Sequence, residues 1–90
     1  MPLQILSSPP PEPEDVTGRI HAAIAEALPN AEIEVASGGP GHFTITVTSA
    51  DFEGETRVRQ QQRVYAAIAP LMAGDNAPVH AVDKLTTRVA

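Results

Sequence analysis

Of the side chains in this sequence that could do chemistry, His42 and His80 are the most informative. His42 follows the run Ser37-Gly38-Gly39-Pro40-Gly41, and His80 follows Pro78-Val79, so each is placed to open a strand. Neutral imidazole is a good ligand for zinc or for iron in a cluster. Two ligands do not complete a tetrahedral site, which needs four. The chain has no cysteine, so a metal held by this pair must take its remaining ligands from a partner, most naturally as thiolates. His21, the third histidine, falls beside the apolar stripe of a helical stretch and reads as a partly exposed helix residue.

Catalysis would need a nucleophile next to a base, an acid–base pair or a complete metal site. The acids are scattered, Glu32 and Glu34 alternate along one strand face, and neither Ser37 nor Ser49 has a histidine at an activating spacing. This predicts a protein that works by binding and is not an enzyme on its own. Gly38-Gly39-Pro40-Gly41 fits G-x-x-G, the backbone clamp of KH domains. That clamp sits between helices and carries basic residues; here the run lies between strands, has none, and lacks the lysine of a phosphate-binding loop, so it reads as a hairpin connection. Arg57, Arg59 and Arg63 make the start of the second helix basic, with Arg59 and Arg63 one turn apart, and are the candidate contacts for phosphate or an acidic partner. Glu53 and Glu55 immediately upstream turn the same region into a mixed-charge face.

The net charge of −5 opposes non-specific attachment to nucleic acid or to anionic membranes. Glu12, Glu14 and Asp15 lie in the tail, so residues 16–90 carry six basic against eight acidic groups, a net of −2. No run approaches the roughly 20 apolar residues of a membrane span. The N-terminus lacks the basic region and apolar run of a secretory leader, and together these features predict a cytoplasmic protein.

The elements that must hold the histidines follow from periodicity. Residues 1–15 are rich in proline and read as a disordered tail, leaving residues 16–90 as the one domain. Val16, Ile20, Ala23, Ile24, Ala27 and Leu28 recur at helical spacing, which predicts a first helix over 16–28, capped by Asp15 or Thr17 and stopped by Pro29. Ala31–Ala36 alternates apolar and acidic residues as a half-buried strand does. Residues 42–49 alternate again, with Phe43, Ile45 and Val47 on one side, so these two strands should pair as an antiparallel hairpin. Asp51-Phe52-Glu53-Gly54 reads as a turn with one anchoring aromatic. A second helix should begin near Thr56, carry Val58, Gln61, Tyr65, Ile68 and Met72 on one face, and kink or stop at Pro70. Residues 79–87 are mixed and β-branched enough for a third strand. The order is α-β-β-α-β, and two helices on one face of a three-stranded sheet is the simplest way to bury these stripes.

The ordered set His42-Phe43, Phe52-Glu53-Gly54, Arg57-Val58-Arg59-Gln60-Gln61-Gln62-Arg63-Val64-Tyr65 and Val79-His80-Ala81 resembles the BolA family, in particular short bacterial members whose second helix carries V-x-x-Q-Q-x-x-V-Y. The resemblance spans about residues 16–87. It implies an α/β fold like type II KH domains, with a mixed three-stranded sheet covered by helices on one face. It also implies a non-enzymatic adaptor that pairs with a monothiol glutaredoxin and shares a [2Fe-2S] cluster, for iron-sulfur trafficking or iron regulation. In such a complex the partner's cysteine and a bound glutathione supply thiolates. The BolA side supplies the histidine matching His80 and a histidine or cysteine from the loop between the first two strands. Some relatives carry that cysteine in an S-G-G-C-G context; this chain has Pro40 there, and His42 is the nearest substitute. No cluster is implied for the chain alone. The alternative is a KH-like transcriptional regulator that binds nucleic acid through Arg57, Arg59 and Arg63.

Overall fold

The computed structural model describes residues 13–90. In chain order they form α1 (Pro13–Ala27), β1 (Glu32–Gly39), β2 (His42–Ser49), a 3-10 turn (Ala50–Phe52), α2 (Arg57–Met72) and β3 (Ala81–Val89). The expected order α-β-β-α-β holds. The proline-rich tail expected over 1–15 lies outside the described residues as far as residue 12. Pro13–Asp15 are the first turn of α1, where the fixed φ of proline suits a helix start. Asp15 and Thr17 therefore lie inside α1 and not at its boundary.

The three strands form one mixed sheet with β2 in the middle, antiparallel to β1 and parallel to β3. A tight turn serves the first connection, whereas a parallel pair needs a long crossover, and α2 provides it. Alternation along β2 puts Phe43, Ile45 and Val47 into the core on one side and Thr44, Thr46 and Thr48 on the other. Both helices cover the first side. α1 contributes Val16, Ile20 and Ile24, four residues apart, with Leu28 just past its end. Each such side chain contributes about 1.5–3 kcal/mol by leaving water. Pro29 follows directly, after which the Ala31 N–H bonds the Leu28 carbonyl at 3.0 Å and the chain turns into β1.

The buried face of α2 differs from the apolar stripe expected for it. Gln60, Val64 and Ile68 face the core, while Val58 is 64% exposed and Tyr65 39%. Sequence patterning assumes that buried positions are apolar; Gln60 breaks that assumption because its Nε2 donates to the Glu55 carbonyl at 2.9 Å, which offsets the cost of burying the amide. Pro70 does not end the helix at once. It lies in the last turn, exposed, and α2 runs two residues further to Met72. Thr56 is the N-cap, its hydroxyl accepting from the Arg59 N–H at 3.1 Å.

Two boundaries matter for the histidines. β1 continues to Gly39, three residues past the expected end, so the hairpin connection is only Pro40-Gly41. β3 occupies 81–89, two residues later than expected, and His80 is the residue just before it.

Candidate functional site

His42 and His80 come together at the end of the sheet where β2 and β3 start. A type II turn requires positive φ at its third residue and commonly has proline before it, and Pro40-Gly41 fits, with φ of +77° at Gly41. The Gly41 carbonyl then accepts from two successive N–H groups, His80 at 2.8 Å and Ala81 at 2.9 Å. Just upstream, the buried Val79 donates its N–H to the Leu71 carbonyl at 3.1 Å. His80 is thus held at its backbone between α2 and the hairpin turn, while its side chain stays exposed. A Cβ on Gly41 would lie 2.7 Å from the Cβ of His80, so this approach is open only to glycine.

The two imidazole rings are 6.0 Å apart between centroids and tilted by 58°. His42 faces away from the core because Phe43 beside it faces in, and the alternation of β2 dictates the rest. Its Nδ1 lies 3.0 Å from Oδ1 of Asp83, with the two side chains 44% and 49% exposed. Asp83 was not among the candidates read from the sequence. It reaches His42 across 41 residues of chain through the pairing of β2 with β3, and no local pattern reports such a contact. The ring nitrogens of His80 carry no hydrogen bond among the described residues.

Metal–nitrogen bonds are about 2.0–2.1 Å for a borderline ion, so two exposed rings at this separation fit a pair of ligands to one iron or zinc. Among the described residues no group of three or more His, Cys, Asp or Glu is close enough to hold a metal ion. Among the described residues the two imidazoles are thus a pair without a third such group beside them.

Arg57, Arg59 and Arg63 are not brought together as one cationic face. Arg63 is committed: its Nη1 donates to the Glu55 carboxylate and to the Asp51 carbonyl, each at 3.1 Å, and its guanidinium lies 5.8 Å from the centre of the Phe52 ring. Arg57 and Arg59 are exposed at the start of α2. The paired glutamines next to them tie the helix down, since Gln61 Nε2 donates to the Leu85 carbonyl at 3.3 Å while Gln60 bonds the Glu55 carbonyl. Among the described residues no helix is long and apolar enough to cross a membrane.

Comparison with known proteins agrees with this fold. No curated protein matches the chain. Among solved structures it is similar to BolA1 from Arabidopsis thaliana, with 18% identity over 81% of this chain and 89% of that one and a TM-score of 0.66. It is also similar to BolA1 from Mus musculus, in a solution structure, with 25% identity over 98% and 75% and a TM-score of 0.62. A BolA-like protein from Rickettsia prowazekii shares the fold at 16% identity, over 81% and 92%, with a TM-score of 0.60. The family model for BolA-like proteins matches residues 19–88, which takes in the greater part of α1, all of β1, β2 and α2, all of β3 but its last residue, and both histidines, and the chain therefore belongs to the BolA-like family.

Proposed function

We propose that this protein is a non-enzymatic cytoplasmic adaptor that pairs with a monothiol glutaredoxin and shares a [2Fe-2S] cluster with it, His80 and His42 being the ligands on this side. The observation that carries the reading is the pair of exposed imidazoles 6.0 Å apart, one at the start of β2 and one just before β3, without a third ligand among the described residues. The chain has no thiol, so the sulfur ligands belong to the partner's cysteine and to glutathione. The shared cluster would give the complex an iron-sulfur group that can be passed on or sensed.

Within such a complex this chain's residues have distinct tasks. His80 offers its ring from a backbone fixed by the Gly41 carbonyl, so its approach to the partner is set by the hairpin turn. His42 offers a second ring from the start of β2. Pro40 cannot ligate; it preorganises the turn that brings the two histidines to one edge.

The test is to mix the full chain anaerobically with a cluster-loaded monothiol glutaredoxin and glutathione, and to follow visible circular dichroism together with size exclusion. A one-to-one complex with a changed cluster spectrum, lost in His80→Ala, is the expected result. A cluster spectrum identical with and without this chain would sink the reading.

A further inference from the structure

His42 and Asp83 meet because of an irregularity in β3. The pairing of β2 with β3 runs His42↔Ala81, Phe43↔Val82 and then Thr44↔Lys84, so Asp83 is an extra residue with no partner across the strand. One-residue bulges of this kind are rare between parallel strands, and they commonly re-aim a side chain beside a functional site. Here the bulge has two consequences. It separates Val82 and Leu85 by three positions where a regular strand would allow two, and both still pack against the core. It also turns the Asp83 carboxylate toward the hairpin end, where one oxygen lies 3.0 Å from His42 Nδ1 and the other lies 3.6 Å from where a Gly38 side chain would begin.

We propose that Asp83 is a positioning residue that dictates which nitrogen of His42 is free to ligate. A carboxylate only accepts hydrogen bonds, and a neutral imidazole has one donor and one acceptor. With Asp83 at Nδ1, neutral His42 carries its proton there, and Nε2 keeps a bare lone pair. A histidine without such a partner has no fixed tautomer, and the second-shell carboxylate is a recurrent device for orienting metal-bound imidazoles and raising their basicity. His80 has no such support among the described residues. The outer-shell device therefore marks His42 as a designed ligand despite Pro40, where some relatives carry a cysteine. This inference rests on the shared-cluster reading for its purpose, though the tautomer itself belongs to the free protein.

Two measurements keep the two ideas apart. In the free, full-length chain, long-range proton–nitrogen correlation spectra at a fixed pH where the ring is neutral report the tautomer of His42. Wild type should show the proton on Nδ1. Asp83→Ala should lose that preference, and Asp83→Asn, whose amide oxygen still accepts, should keep it. An unchanged tautomer in Asp83→Ala, or a loss in Asp83→Asn as complete as in Asp83→Ala, overturns the proposal. In the mixture with cluster-loaded glutaredoxin and glutathione, Asp83→Ala should lower cluster affinity by about 10–100-fold, the usual cost of removing an outer-shell partner, and full retention in that variant overturns the positioning role. If wild type forms no shared cluster, the shared-cluster reading fails and the ligand role of His42 fails with it, whatever the tautomer spectra show.

Discussion

β2 has two ends that solve the same problem in opposite ways. At its C-terminal end, Ser49 is buried and its hydroxyl accepts the Asp51 N–H at 3.0 Å, Phe52 is fully buried, and Arg63 bonds both the Glu55 carboxylate and the Asp51 carbonyl. The charged pair there, Arg63 with Glu55, is 35% and 25% exposed and covers the Phe52 ring. At the N-terminal end the pair His42 with Asp83 is 44% and 49% exposed, and next to it His80 offers a ring with no hydrogen bond among the described residues. One end commits its polar groups to the chain itself; the other leaves ring nitrogens facing outward. Polar residues near a sheet end therefore do not by themselves mark a site. What separates the two ends is whether the groups have spent their hydrogen-bonding capacity on the fold.

The largest effect should come from breaking the closed end. Phe52→Ala removes an aromatic that is 0% exposed and should cost about 3–5 kcal/mol, read as a lower midpoint in urea unfolding. A loss below about 1 kcal/mol would mean that this end can collapse around the gap.

Next comes the backbone hinge of the open end. Gly41→Val must adopt φ of +77° and would place a Cβ 2.7 Å from that of His80. A non-glycine residue there costs about 1–3 kcal/mol. The His80 ring resonances should shift as well; if they stay put, the turn does not set the position of that histidine.

A change of opposite sign lies in β3, where Thr87 is buried and its hydroxyl has no partner among the described residues. Thr87→Val keeps the shape and removes the unpaired group, so the protein should gain about 1 kcal/mol. A measured destabilisation would show that the hydroxyl has a partner, such as a buried water.

The smallest effect on stability, with the largest on function, is expected for His80→Ala. An exposed side chain away from the core should change unfolding free energy by no more than about 0.5 kcal/mol, while the shared cluster spectrum should disappear. A large stability loss would move His80 from the open class to the closed one.

Much of the fold was legible in the residues. The Val16–Ile20–Ile24–Leu28 stripe and the alternation of Phe43, Ile45 and Val47 identify the core faces of α1 and β2, because both depend on local period alone. The extent of β1 was not legible. Ser37 to Gly39 look like a loop in composition, and only pairing with Phe43 and His42 makes them strand. The face of α2 was not legible for a related reason: Gln60 is acceptable in the core only once the Glu55 carbonyl is beside it. Likewise the basic residues Arg57, Arg59 and Arg63 look alike in sequence, and only packing shows that Arg63 is taken up by Glu55, Asp51 and Phe52.

By itself the sequence determined the order of elements, the two inward-facing stripes and the presence of two metal-competent histidines with no thiol to accompany them. These follow from side-chain chemistry and short-range geometry. The tertiary structure alone decided that His42 and His80 stand 6.0 Å apart and that Asp83 rests on the first of them. Both facts depend on register between strands distant in sequence. That register is settled by how the whole sheet buries its apolar face, including one extra residue in β3 that keeps Val82 and Leu85 in the core and leaves Asp83 beside His42.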